Sequence, residues 1–335
     1  MSNTYLVTGG AGFIGSHIAA SLLRDGQKVR VIDNLLTGSR KNLDYLQALG
    51  GDLQLTIGDI NDGDLLRRLM RGVDFVLHQA ALPSVPRSLA HPLETHLHCL
   101  TGTLNVLVAA RDCGVKRVVY AASSSAYGDQ PGASKDESMR PAPISPYGVA
   151  KLAGEYYAAA FTHSFGLETV ALRYFNVFGP RQDPASQYAA VIPKFITAML
   201  AGERPRIYGD GTQSRDFTYI DNVARGNLLA CTAANAAGEV INLATGGRVT
   251  LNDLVAQLNA LLGTDLPPLH TAERRGDIKH SRADISKAQK LLGYAPVVDF
   301  AEGLRRTVDW YRGQAWWSPP PPPPPPTKGG RARGS

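Results

Sequence analysis

The chain has 335 residues, with 35 Lys and Arg against 29 Asp and Glu for a formal charge of +6; 44% is hydrophobic, 19% is charged, and there are 3 cysteines. That length and apolar content can fill the core of one large domain or two modest ones, and they exclude a disordered chain, a collagen-like repeat and a disulfide-stapled scaffold. Lys328, Arg331 and Arg333 near the C-terminus supply half of the net charge, so the body is close to neutral and carries no footprint of nucleic-acid binding.

Met1 to Tyr5 lacks the basic start of a signal peptide, and no stretch reaches the ~18 apolar residues of a membrane span. Cys99, Cys113 and Cys231, none in a C-x-x-C pair, fit a reducing compartment, so a cytoplasmic location without membrane attachment is expected. Over the first 125 residues short apolar runs alternate with helical spacing, the signature of a parallel sheet with crossover helices. Buried strands are predicted at Tyr5–Thr8, Lys28–Ile32, Leu53–Ile57, Phe75–His78 and Arg117–Ala121, and helices at Ile14–Leu23, Asp64–Met70 and Leu93–Ala110. A helix near Pro146–His163 and a strand at Glu168–Arg173 extend a doubly wound sheet.

After Gly179-Pro180 the elements shorten: helices near Val191–Leu200, Leu251–Leu262 and Ile285–Leu292, and strands near Arg206–Tyr208 and Val240–Asn242. They read as a smaller lobe capping the carboxyl edge of the sheet. Beyond Trp317, the run Pro319–Pro326 and its Gly-, Lys- and Arg-rich end read as extended polyproline followed by disorder.

Thr8-Gly9-Gly10-Ala11-Gly12-Phe13-Ile14-Gly15 joins the first strand to the first helix, and Gly9, Gly12 and Gly15 give G-x-x-G-x-x-G. Missing side chains let backbone approach a pyrophosphate whose charge lies at a helix N-terminus, so the loop predicts a dinucleotide site. Asp33 closes the second strand, where an acid can hold the adenosine ribose hydroxyls and repel a 2′-phosphate; NAD is therefore expected over NADP. Asn34, Thr37 and Gly38 follow it. Asp59 and Ile60 are placed against the adenine, and Gln79, Ala80 and Ala81 against the ribose and diphosphate. The fold class is thus α/β, a Rossmann-type doubly wound sheet over residues 1–179. Residues 180–317 form mainly a C-terminal substrate-binding lobe, with some chain returning to the first domain, and 318–335 form the tail.

Tyr147-Gly148-Val149-Ala150-Lys151 puts a tyrosine and a lysine on one helix face. A free phenol with pKa near ~10 is a poor base at neutral pH, but a neighbouring ammonium and a positive nicotinamide both favour phenolate. Ser123-Ser124-Ser125 follows the fifth strand at the edge where such sheets bind ligands, so a hydroxyl there can hold a substrate oxygen while Tyr147 moves its proton. His91, His96 and His98 lack the spacing of a zinc triad on one helix face, and no metal is expected.

Taken together these stretches resemble the extended short-chain dehydrogenase/reductases, in particular the nucleotide-sugar C4-epimerases. The resemblance runs from Thr4 to about Tyr311 and is carried by TGGAGFIG (8–15), DN (33–34), GDI (58–60), HQAA (78–81), SSSAYGD (123–129), YGVAK (147–151), RYFNVFGPRQDP (173–184), GDGTQSRDFTYIDN (209–222) and RRGD (274–277). It implies that Ser123, Tyr147 and Lys151 are catalytic, that Ser124 and Ser125 face the sugar, and that Lys151 also binds the nicotinamide ribose. Tyr174 and Asn176 would line cofactor and substrate. Arg215, Arg274 and Asp277 would grip the nucleotide, the arginines as bidentate phosphate forks; Val191 and Tyr208 join the substrate side. One departure is Cys99, which stands where the family usually has an asparagine contacting the cofactor.

The reaction so implied is redox-neutral: oxidation at C4 of a UDP-sugar, rotation of the 4-keto sugar, and reduction from the other face. A 4,6-dehydratase would carry Asp-Glu where Ser124 and Ser125 stand, and the pentose-forming decarboxylases are less similar around residues 81–90. A dinucleotide sensor that has lost its chemistry is the other alternative, and the presence of Ser123, Tyr147 and Lys151 speaks against it. Ser281 is small enough to admit a C2 acetamido group; Ser84 and Arg87 lie in a run similar to epimerases of N-acetylated or uronic sugars, with Arg87 a candidate partner for a C6 carboxylate. Asp183, where some uronate epimerases place an arginine, points the other way. UDP-GlcNAc/UDP-GalNAc and UDP-glucuronate/UDP-galacturonate both stay open. The helices near Leu93–Ala110 and Pro146–His163 predict a homodimer by two-fold pairing.

Overall fold

The structure, a computed structural model, describes residues 2–130, 132, 134–184, 190–273 and 279–314. Arg274, Asp277 and the proline-rich tail lie outside these residues. Strands β1 (Thr4–Thr8), β2 (Lys28–Asp33), β3 (Leu53–Ile57), β4 (Phe75–His78), β5 (Arg117–Ser123) and β6 (Glu168–Tyr174) alternate with helices α1 (Phe13–Arg24), α2 (Arg40–Leu49), α3 (Gly63–Met70), α4 (Val85–Ala90), α5 (Pro92–His96), α6 (Gly102–Asp112) and α7 (Pro146–Phe165). The second part holds β7 (Val177–Phe178), α8 (Val191–Leu200), β8 (Arg206–Tyr208), β9 (Ser214–Arg215), β10 (Thr218–Tyr219), α9 (Ile220–Thr232), β11 (Glu239–Leu243), β12 (Val249–Thr250), α10 (Leu251–Leu262), β13 (Leu269–Thr271), β14 (His280–Ser281), α11 (Ser286–Leu292) and α12 (Phe300–Arg312).

One parallel sheet of seven strands runs β11-β6-β5-β4-β1-β2-β3, the topology of a doubly wound Rossmann-like fold. Its central strands β1, β4 and β5 are largely apolar and buried because helices cover both faces, while β2 and β3 toward the edge carry Lys28, Arg30 and Gln54. On one side Val7, Val31, Leu77 and Val119 pack with Ile18 and Leu22 of α1; on the other Leu6, Ile32, Val76 and Val118 meet Leu66 of α3 and Val106 of α6. The chain leaves the sheet after β6 and comes back at β11, whose Glu239–Leu243 pairs in register with Val170–Tyr174.

The helix expected over Leu93–Ala110 runs as α5, a single π turn at Leu97–Thr101, and α6. The path stays helical across the π turn, with right-handed φ and ψ at His96 and Gly102. Small strands beyond β6 form a sheet β12-β9-β14 and two pairs, β10 with β7 and β13 with β8.

Candidate active site

All seven strands of a parallel sheet end at the same edge, and Gly9, Asp33, Gln79, Ser123 and Tyr174 lie at or just past strand ends there. Gly9 sits at φ +69°, and a Cβ on it would lie 2.7 Å from the Ala80 nitrogen; on Gly15 a Cβ would lie 2.2 Å from the Gly9 carbonyl. Only glycine fits either place. Gly12 precedes α1, which has no side-chain cap and no acidic residue in its first turn. The first intrahelical bond there is Ser16 N–H to the Gly12 carbonyl, so the amides of Phe13, Ile14 and Gly15 remain for an anion. A dinucleotide pyrophosphate fits this cradle.

Asp33 is turned into the cradle. Its carboxylate accepts from Ala11 N–H at 2.9 Å and Leu35 N–H at 2.8 Å. Burial raises its pKa while these amides work against the rise. Gly38 passes close beside it, where a Cβ would lie 2.7 Å from Oδ1, and Thr37 next to it is exposed. Asn34 donates to Asp59 at 2.9 Å; Asp59 also binds the amide and side chain of Asn61, and Ile60 is buried against Gly102. Tyr174 donates at 2.9 Å to Asn227 and lies 3.1 Å from Gln79, which itself bonds Asn227 at 3.2 Å. Ala80 and Ala81 border this knot. Asn227, on α9, has no distinctive sequence context and was not among the predicted residues.

Ser123 ends β5 opposite Tyr174 in register. Its hydroxyl donates to Ser125 Oγ at 3.0 Å and accepts the Ser125 amide at 3.1 Å, which starts a 3₁₀ turn through Ser124. Ser145 caps α7 and sets Tyr147 in the first turn, where Ser123 hydrogen-bonds it. Lys151, one turn on, is buried and donates to the Ala121 carbonyl at 2.7 Å, with its ammonium 4.9 Å from the Tyr120 ring centroid. Burial pushes the Tyr147 phenol well above its ordinary pKa, the Cys99 thiol adds to the rise, and Ser123 pulls the other way. The lowering expected from sequence belongs to Lys151 and a bound nicotinamide together; in the chain by itself Ser123 works against the rise. The Lys151 ammonium, hydrogen-bonded to the Ala121 carbonyl, is itself pushed down by burial. Cys99 accepts the Leu82 amide at 3.3 Å.

On the substrate side Asn176 adopts φ +29°, a strained value for a non-glycine residue, and donates to the Asp216 carbonyl at 3.2 Å. Arg215 and Ser281 are register partners on β9 and β14, hence on one face. Behind them Asp216, 0% exposed, accepts from Thr245 Oγ1 (2.7 Å), the amides of Thr245 (3.1 Å) and Gly246 (2.9 Å), and Ala283 N–H (3.2 Å). Its position between the Arg215 and Phe217 of a recognisable stretch was the only sequence signal. Val191 opens α8 and Tyr208 closes β8. Ser84 caps α4 by accepting the Arg87 amide. The Arg87 guanidinium pairs with Glu94 through Nη2 and Nε, at 2.8 and 3.3 Å. Among the described residues no cluster of His, Cys, Asp or Glu is placed to hold a metal ion, and no helix is long and apolar enough to cross a membrane.

Residues 5–244 match the NAD dependent epimerase/dehydratase family. The UDP-N-acetylglucosamine 4-epimerase of Methanobrevibacter ruminantium, solved with UDP-N-acetylmuramic acid, is 44% identical, with 93% of this chain and 99% of that one covered at a TM-score of 0.88. The putative UDP-glucose 4-epimerase of Methanocaldococcus jannaschii is 37% identical over 92% of this chain and 98% of its own. The UDP-glucuronic acid 4-epimerase of Bacillus cereus, solved with UDP-glucuronic acid and NAD, is 34% identical over 92% and 99%, with a TM-score of 0.85. A dTDP-glucose 4,6-dehydratase and a UDP-N-acetyl-alpha-D-glucosaminuronate decarboxylase are also relatives, at 36% and 30% identity. A glycine cradle, a Ser–Tyr–Lys cluster at the sheet edge and a match across the whole sheet agree: the chain belongs to the NAD dependent epimerase/dehydratase family.

Proposed function

We propose that this enzyme inverts C4 of a UDP-sugar, with an N-acetylated hexose (UDP-GlcNAc/UDP-GalNAc) preferred. The reading rests above all on Ser123, Tyr147 and Lys151 converging at the end of β5 beside the glycine cradle. NAD, which Gly9, Gly12, Gly15, Asp33 and Lys151 would hold, would supply the hydride acceptor and donor for C4 together with a positive charge. Tyr147 removes the C4 hydroxyl proton as the hydride leaves and gives it back when C4 is reduced. Ser123 holds the C4 oxygen through both halves. Arg215, with Arg274 and Asp277, grips the nucleotide, so the 4-keto hexose is free to turn between them.

The acetamido preference has two supports. Ser281 is small and shares a face with Arg215, leaving room beside the sugar. Arg87, the candidate for a C6 carboxylate, has Glu94 as its ion-pair partner, and that nearby negative charge favours a plain C6 hydroxymethyl over UDP-glucuronate. Ser124 and Ser125, where a dehydratase needs acid and base, favour epimerisation over loss of water.

Separate incubations with UDP-GlcNAc, UDP-glucose and UDP-glucuronate, with products resolved, test the reading. Tyr147→Phe should lower inversion of the best substrate by about 10²–10⁴-fold with its fold intact. Undiminished inversion, or a dehydrated keto-sugar as product, would overturn the reading. We also propose a homodimer. Leu93 (85% exposed) and Tyr156 (61%), with Leu97 and Val149, crowd apolar surface onto α5, the start of the π turn and the adjoining α7, which a second copy would cover. A monomer by equilibrium sedimentation would contradict it.

A further inference from the structure

His78 closes β4 in the middle of the sheet and is 1% exposed, yet the chemistry above does not use it. Its ring makes two hydrogen bonds, to Thr8 Oγ1 from Nδ1 at 2.7 Å and to Thr103 Oγ1 from Nε2 at 3.0 Å. The neighbours decide which nitrogen carries the proton. Thr103 has one hydroxyl hydrogen and donates it to the Cys99 carbonyl at 2.7 Å, so toward His78 it accepts. Nε2 therefore bears the proton and Nδ1 is bare. Thr8 must donate to Nδ1, which leaves its lone pairs for the Ala80 amide at 3.2 Å.

The bonds then all run one way: Ala80 N–H to Thr8, Thr8 to His78, His78 to Thr103, Thr103 to the Cys99 carbonyl. One end of this chain is the peptide against which Gly9 packs, since a Cβ on Gly9 would sit 2.7 Å from the Ala80 nitrogen. The other end is the π turn that backs the reaction centre. The Tyr120 ring lies stacked on the imidazole, centroids 5.6 Å apart, and Lys151 lies on Tyr120. A cationic His78 would place a second positive charge beside that ammonium.

We propose that His78, fixed as its Nε2–H tautomer, is a positioning residue that holds the Ala80 peptide under Gly9 and so sets the shape of the cofactor cradle. The inference rests on the reading of Gly9–Gly15 as the NAD site, whereas the tautomer follows from the bonds alone. Burial and the Lys151 ammonium lower the imidazole pKa to about 3, in keeping with a neutral ring.

Long-range proton–nitrogen correlation on uniformly ¹⁵N-labelled full-length protein reads the tautomer directly. A proton on Nε2 only, at pH 7, is expected; a proton on Nδ1, or on both nitrogens, overturns the proposal. His78→Asn keeps an acceptor oxygen near Thr8 and loses the Thr103 arm, whereas His78→Gln reaches Thr103 and gives up Thr8. Titration of cofactor-stripped protein with NADH, read by nicotinamide fluorescence, should give a Kd about tenfold weaker for His78→Gln and less than about threefold weaker for His78→Asn. Equal losses in the two variants, or no loss in either, overturn the positioning role. If His78→Gln fails to fold, the nitrogen spectrum of the unaltered chain decides. An unaltered chain that binds no NADH would instead defeat the cradle reading and leave the tautomer result standing.

Discussion

Glu155 and Arg173 form a buried ion pair behind the reaction centre. Glu155 sits one helical turn beyond Lys151 on α7, and Arg173 precedes Tyr174 on β6. Two bonds join them, Nε–Oε1 at 2.9 Å and Nη2–Oε2 at 2.7 Å, with the side chains 1% and 4% exposed. The guanidinium also lies 4.5 Å from the Tyr127 ring centroid. Burial opposes the charge on Arg173, but the Glu155 carboxylate outweighs it and holds the guanidinium's pKa above its ordinary value. Glu155→Gln would leave one acceptor and turn an amide N–H toward the guanidinium, stranding a cation opposed only weakly by Tyr127 and the Glu137 carboxylate. Breaking such a pair costs about 3–5 kcal/mol, roughly 4–7 °C in Tm for a protein of this size. Replacing both partners, as Glu155→Leu with Arg173→Met, removes both desolvation costs along with the attraction and should cost less than either single change. Thermal unfolding of Glu155→Leu, Arg173→Met and the double variant, at one fixed NAD concentration because a ligand shifts Tm, completes the cycle. Single variants within about 1 kcal/mol of the unaltered chain, or a double variant as unstable as the sum of the singles, would refute the reasoning.

Two further outcomes follow from groups already described. His78 has its pKa lowered to about 3 by burial and by Lys151, below its unfolded value of 6.5, so the unfolded chain binds the extra proton. Its contribution to stability is complete above pH 6.5 and is lost as pH falls toward 3, at about 1.4 kcal/mol per pH unit. Urea midpoints at pH 7, 6 and 5 should show a slope shallower by about one proton in His78→Gln; equal slopes would refute this. Asp216→Asn turns a donor toward at least one of the amides that Asp216 now accepts, loosening β9 and β14 behind Arg215 and Ser281. UDP affinity by calorimetry should fall about tenfold while NAD affinity holds within about twofold; equal losses of both would refute it.

The parallel sheet was legible because its central strands are short runs of buried apolar residues, whereas the crossover helices α1 and α3 alternate buried and exposed positions. The glycine loop was legible because close backbone approach excludes every other side chain, as Gly15 shows. Leu304, Thr307, Val308 and Tyr311 of α12 have plain amphipathic spacing, so that helix was also within reach of the sequence. Helix α9 was harder. Its buried face includes Asn222, Gly226 and Asn227, a composition that reads as loop until tertiary partners are known. Asn222 binds the backbone of Val297 and Val298, and Asn227 binds Tyr174, partners far along the chain that no local pattern encodes. Arg87 shows the reverse limit: its charge was legible, but its Glu94 partner depended on how α4 meets α5.

The return of the chain to the sheet at β11 has a consequence for how the protein is made. During synthesis the outer side of β6 stays open until residue 243 has left the ribosome, with α8 and α9 emerging first. An unpaired apolar strand edge in that interval invites pairing with another nascent chain. A fragment cut at residue 179 would keep that edge permanently, so the nucleotide-binding half has no natural stopping point of its own.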